Sequence, residues 1–413
     1  QTLEVDKNDQ KLLTQFIDDL ADAGLDDATY KALKKTLGKI LAGHQGLLYT
    51  DADGRLAGAL AYQTGQGNLN YLQITSAGFA NADANKKAML DAAGLAQQKN
   101  QGLELYVPNS HLALYKGWGF TIHQPLGNGA RVRLAADDMA GFLKDPDGYG
   151  QVKLEKLAVA AKEALADPNK AFTFRSGQEI PGLPFKAVQM SEADFQNQTK
   201  VLPHDPPLTI EDPSLHAAAG MLLFTPDGKL VVVDPAGEYG GYKTTFPKGT
   251  QEEGMSLQAT AVKEVYEETG FKARILGHLG DYEKTTSINR FYIGLVEDGA
   301  PWAAHYESEA VRIVPLDQVD ALLNVGTDKG IFQDLLKLAD QALEGKPFSI
   351  AALETGLDKY AAAAGKLPPP LGDVPPAGLT KKAMVDHLSK IRGIAKWKLT
   401  VASKEQVAAL FDL

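Results

Sequence analysis

Three glutamates close together in the chain, Glu264, Glu267 and Glu268, have the types and spacing to do chemistry. If the stretch is helical, each residue turns by about 100°, so Glu264 and Glu268 share one face with Glu267 beside them, while Ala261, Val262, Val265 and Tyr266 turn largely the other way. Like charges at this spacing cost a helix roughly 0.2–0.5 kcal/mol, so the patch gains from a hard cation that prefers carboxylate oxygens. Magnesium binds through a few carboxylates plus substrate phosphates, which points to metal-assisted attack on phosphorus. The bland alternative for a bare Glu-x-x-Glu-Glu is an acidic face in solvent, and the flanking residues decide between the two.

The positioning element is a helix between two loops. Ser256 is placed to cap its N-terminus, residues 257–269 contain no Gly or Pro, and Gly270 stands where a left-handed terminating residue belongs. Residues 249–271 resemble the Nudix box: Gly, five residues, Glu, seven residues, Arg-Glu, an apolar residue, any residue, Glu-Glu, any residue, Gly and an apolar residue. Gly249, Glu264, Val265, Glu267, Glu268, Gly270 and Phe271 fall in register; Met255 replaces the first Glu and Lys263 the Arg. The resemblance implies an α/β/α sandwich with a mixed sheet, and Mg²⁺ or Mn²⁺ held by Glu264, Glu267, Glu268 and the Gly249 carbonyl. It also implies that the pair bracing loop against helix, at 255 and 263, is lost.

Phe-Pro-Lys-Gly at 246–249 is similar to the branch acting on dinucleoside polyphosphates and inositol pyrophosphates. Lys248 there is a candidate to contact a substrate phosphate, and a lone loop lysine can equally face solvent. Relatives often carry a further Glu before the last strand, as ligand or general base. Glu309 fits that spacing better and Glu307 second, and Glu268 or Glu309 is the expected base. The implied reaction is hydrolysis of a phosphoanhydride in a nucleoside diphosphate derivative such as a dinucleoside polyphosphate or ADP-ribose.

Around this centre the chain is long enough for several domains: 413 residues, with 42 basic and 52 acidic side chains. The net charge of −10 argues against a general polyanion-binding surface but not against a local basic pocket. No apolar run reaches membrane-span length, there is no signal pattern, and a cytoplasmic setting is the default expectation. Absence of cysteine excludes disulfides, thiol catalysis and Cys-ligated zinc. A start at Gln rather than Met suggests a processed or excised chain.

Residues 1–135 read as two helices, then strands and helices ending in Leu-Tyr-Lys-Gly-Trp-Gly-Phe at 114–120. This order resembles the GNAT acetyltransferase fold. That family cradles the CoA pyrophosphate with a Gly-rich turn; residues 77–85 here have one Gly and no Arg, so the domain is expected to be degenerate and Tyr115 a packed aromatic. Residues 136–213 read as a helical connector and a Pro-rich strap seeking burial for Phe174, Phe185, Val188 and Phe195, and 214–345 as the Nudix domain. Residues 346–378 read as a helix and Pro-rich spacer, and 379–413 as a small helical unit with a basic stretch at 380–398, for which a solvated face is favoured over nucleic acid. The expected class is thus multi-domain α/β (α+β). The rival readings are a scaffold that has lost activity and an acetyltransferase regulated by a Nudix module.

Overall fold

Continuous apolar runs such as 58–62, 218–224 and 230–233, buried on both faces, form the central strands of two sheets, one in each of two units, Gln1–Val159 and Ala160–Leu413. The computed structural model describes residues 1–21, 23–65, 71–78, 82–197, 207–305 and 307–364. The Pro-rich spacer after residue 366, the unit at 379–413 with its basic stretch, and part of the 77–85 turn lie outside the described residues.

The first unit runs β1 (Thr2–Val5), α1 (Gln10–Ala21), α2 (Asp27–Leu41), β2 (Gln45–Thr50), β3 (Leu56–Thr64), β4 (Tyr71–Ala77), α3 (Ala82–Gln98), β5 (Gly102–Pro108), α4 (Leu112–Gly117), β6 (Thr121–Leu126), β7 (Gly129–Leu134), α5 (Met139–Lys144) and α6 (Pro146–Ala166), the last crossing into the second unit. Sheet order is β1-β2-β3-β4-β5-β7-β6, with β4 and β5 parallel. Leu48, Ala59 and Ala61 bury against Leu13, Phe16, Leu33 and Leu37 of α1 and α2. Their strand neighbours Leu47 and Leu60 point the other way and pack with Met89, Ala92 and Ala96 of α3. Tyr115 is buried among Trp118 and Phe120, its hydroxyl donating to Asn85 Oδ1 at 3.3 Å, as expected of a packed aromatic.

The second unit adds β8 (Phe172–Arg175), α7 (Glu192–Asn197), β9 (His216–Phe224), β10 (Leu230–Pro235), β11 (Lys248–Thr250), α8 (Leu257–Thr269), β12 (Phe271–Glu283), β13 (Ser287–Gly299), β14 (Ser308–Val314), α9 (Leu316–Leu322), α10 (Gly326–Leu343) and α11 (Ile350–Ala364). Its sheet is ordered β12-β13-β9-β10-β14-β8, with β13 parallel to β9 and β11 pairing separately with β9. One face packs Leu222, Phe224, Val232 and Ile293 against Ile331, Phe332 and Leu335 of α10 and Leu353 of α11. α8 lies against β9, β11 and β12 and buries Ala261, Val262 and Val265, giving the mixed α/β architecture expected.

The segment before the box does more than connect. β8 adds an edge strand to the sheet by pairing Thr173 with Arg312 and Phe174 with Val311 of β14. Phe185 packs edge-on against Phe174 and Trp302, and Phe195 against Tyr266 of α8. Lys229, buried in the β9–β10 turn region, donates to the carbonyls of Ala164 and Asp167 at 2.6 and 2.7 Å, satisfying carbonyls at the C-terminal end of α6.

Candidate active site

The box helix forms where its residues place it. Ser256 accepts from Ala259 N at 3.1 Å, and Gly270 ends the helix at φ 71°, its N–H donating to Tyr266 O. β11 carries Lys248 and Gly249 along β9, opposite Gly220 and Ala219. Here loop meets helix. A Cβ added to Gly249 would come within 2.2–2.3 Å of the Glu264 carboxylate, so only glycine lets that carboxylate sit against the strand.

Glu268 completes this face. Its Oε2 accepts the backbone N–H of Lys248 at 2.9 Å, tying helix to strand directly beside Gly249. Burial, only partly offset by Lys263, pushes the Glu264 carboxyl up to about 7, with Glu267, Glu307 and Glu252 adding to the shift. Burial likewise pushes Glu268 up to about 8, against the pull of the Lys248 charge and its N–H.

Glu267 is turned elsewhere. Its Oε2 accepts from Lys263 Nζ at 2.8 Å, and the same ammonium reaches Glu252 Oε1 at 2.9 Å. The expected loss of the bracing pair therefore needs correction: Glu252 does from three residues earlier what Met255 cannot. Met255 itself is buried, and Gln251 adds a second tie by donating to its carbonyl at 2.6 Å. Although burial works against its charge, Lys263 is held above the usual lysine range by Glu267 and Glu252.

Of the two downstream candidates, the charge of Glu307 reaches both Glu264 and Glu268. Glu309 sits half-buried on β14, its carbonyl accepting from Ser176 N. Among the described residues no group of three acidic or histidine side chains is drawn together closely enough to hold an ion. The donor chemistry nevertheless fits a hard divalent cation: two carboxylates crowded into a buried site flank a glycine loop, and a third stands one helical turn along.

Behind the loop lies a polar network that sequence reasoning missed. Lys248 Nζ donates to Thr245 Oγ1 at 2.7 Å, Thr245 Oγ1 donates to Asp328 Oδ2 at 2.5 Å, and Lys284 Nζ donates to Asp328 Oδ1 at 2.9 Å. Asp328 is fully buried at the start of α10, and Lys284 lies in the polar tip between β12 and β13. Nothing local in the sequence joins positions so far apart.

One family model, described as the NUDIX domain, matches residues 214–335. Those residues form a Nudix domain. The match supports a hydrolase activity. No curated protein matches the chain. Similar solved structures include a NUDIX hydrolase from Nitrosomonas europaea (19% identity, 33% of this chain and 94% of that chain, TM-score 0.27). They also include a C. elegans Ap4A hydrolase binary complex (15%, 30% and 96%, TM-score 0.26) and a MutT protein from Methanosarcina mazei Go1 (19%, 34% and 100%, TM-score 0.26). The family match, rather than these likenesses, carries the assignment of the Nudix domain.

Proposed function

We propose that the Nudix domain hydrolyses a phosphoanhydride bond in a nucleoside diphosphate derivative, with Mg²⁺ or Mn²⁺ held by Glu264, Glu267, Glu268 and the Gly249 carbonyl. The observation carrying this reading is the seating of Glu264 against Gly249 with Glu268 fastened to Lys248 N, which gathers carboxylate oxygens where strand and helix meet. When bound, the ion supplies charge neutralisation on the pyrophosphate and a water of lowered pKa. The protein's part is placement. Ser256 and Gly270 fix the ends of α8, the Lys248–Glu268 bond fixes one carboxylate, and the Lys263–Glu252 tie holds the preceding loop. Glu268 takes the proton of the attacking water, with Glu309 the alternative base, and Lys248 contacts a substrate phosphate. Diadenosine tetraphosphate, ADP-ribose and nucleoside triphosphates offered with Mg²⁺ or Mn²⁺ test the reading. Product release from at least one is expected, and no turnover of any would overturn it.

The same reading covers the rest of the chain. The first unit is proposed as an acetyltransferase-like fold without activity, supported by its strand order, with one parallel pair at β4 and β5 followed across by α3. The Nudix domain is proposed to extend over 214–345, and the protein to act in the cytoplasm. No helix among the described residues is long and apolar enough to cross a membrane.

A further inference from the structure

The turn that leads into β14 is held by the segment running from β8 to α7. On one side Gly177 N donates to Trp302 O at 2.7 Å, and on the other Ser176 Oγ donates to Ser308 O at 2.6 Å and Ser176 N to Glu309 O at 3.2 Å. Between these anchors His305 N donates to Glu267 O at 2.6 Å, supplying a donor to a carbonyl near the end of the box helix, and Ser308 N closes the turn on His305 O at 3.2 Å. Tyr266 of α8 makes a second tie. Its ring lies edge-on to His305 with centroids 5.6 Å apart, Phe195 packs on it at 5.8 Å, and its hydroxyl donates to Val188 O at 3.1 Å.

Glu307 sits inside this clamp. Its side chain is exposed, yet its charge reaches both Glu264 and Glu268, so the backbone around it decides where that charge stands. Ser176, Gly177, Val188 and Phe195 all precede residue 214, where the family match begins. Resting on the carboxylate site of the function proposed above, we infer that the segment from β8 to α7 is part of the catalytic apparatus. Ser176 and Tyr266 are its positioning residues: they fix where Glu307 stands beside Glu264 and Glu268, and hence how tightly the site holds a divalent cation. Ser176 is suited to this, because its hydroxyl is buried and bonds the carbonyl of the residue next to Glu307.

Calorimetry of Mn²⁺ binding to the full chain tests this without requiring turnover. Ser176→Ala and Tyr266→Ala should each weaken binding about two- to tenfold, the range that loss of one hydrogen bond spans, and Glu307→Gln should weaken it at least as much. In the Glu307→Gln background neither change should weaken it further, because both act through that side chain. The same loss with and without Glu307 would mean plain structural support and overturn the inference, as would wild-type affinity in Ser176→Ala or in Glu307→Gln. Should Tyr266→Ala not fold, Tyr266→Phe, which gives up only the tie to Val188, takes its place in the cycle. Mn²⁺ binding with no turnover of any substrate would sink the hydrolase reading and leave the cycle to decide the inference. Failure of the wild-type chain to bind Mn²⁺ would overturn the inference itself.

Discussion

The contact between Gly249 and Glu264 leaves no room for a methyl group, so the smallest possible change there is also the most informative. Gly249→Ala should displace the Glu264 carboxylate and lower kcat by roughly a hundredfold or more, comparable to losing a group that holds the reacting centre. Circular dichroism should stay unchanged, because the clash is with the end of one side chain; wild-type kcat would sink the site assignment. Glu268→Gln should be similarly damaging while Glu309→Gln, if Glu268 is the base, should keep most activity. Residue-scale bracing is testable too. Glu252→Gln and Lys263→Met in a double-mutant cycle should show a coupling of about 0.2–1 kcal/mol, modest because Glu252 is largely exposed. Met255→Glu, by contrast, would force a carboxylate into a buried position and should destabilise the protein by about 1–3 kcal/mol in denaturant unfolding. A stabilised Met255→Glu protein would show that the loop still wants its charge at 255.

Among elements, the long β12–β13 hairpin carries the most heavily committed ion pair. Arg290, fully buried, grips both oxygens of Asp281 at 2.7 and 2.8 Å. Burial opposes the Asp281 charge, but hydrogen bonds from Arg290 and His278 outweigh it and hold the carboxyl below its usual range. The folded pKa is depressed, so the stabilisation is complete above the unfolded value of about 3.9 and is lost as pH falls below it. Asp281→Asn should cost about 3–5 kcal/mol at pH 7, since it removes the charge of the carboxylate that two N–H groups of the buried Arg290 grip. The difference from wild type should shrink in unfolding curves taken below pH 4, and a constant difference down to pH 2 would contradict the linkage. Legibility also differs by element. α8 could be read because Ser256 and Gly270 mark its two ends and its carboxylates and apolar residues between them follow helical spacing. β8 could not: four residues inside a Pro-rich segment carry too little alternation to show, and what makes them a strand is the open edge of β14. The Lys263–Glu252 tie was missed because the brace was sought at the register position of Met255, and the Lys284–Asp328 pair because tertiary folding alone brings them together.

For the molecule as a whole, composition placed a boundary in the proline-rich run, whereas the compact units divide inside α6, between Val159 and Ala160. Helical periodicity runs through that point without a break, which is why no composition shift marks it. A chain beginning at 214, where the family match starts, would lack β8 and the aromatic packing of Phe174 and Phe185 on Trp302 and Phe271. It would also lose the carbonyls that Lys229 satisfies. Such a chain should give less soluble protein and a lower Tm than one beginning at 160; equal melting would mean that the added strand stabilises nothing.

β8 has a further consequence, which concerns covalent continuity. Residues 207–213, between α7 and β9, are irregular and mostly exposed, the kind of segment where a backbone cut is tolerated. If a protease site placed there is cleaved, the piece carrying β8, Phe174, Phe185 and Phe195 is no longer joined to the rest of its sheet by peptide bonds. It remains joined by the β14 ladder, by the contacts of Phe174 and Phe185 with Trp302, of Phe185 with Phe271 and of Phe195 with Tyr266, and by the Lys229 bonds. The two halves should therefore travel as one particle through gel filtration in native buffer and separate only in denaturant, and each half expressed alone should recover its partner on mixing.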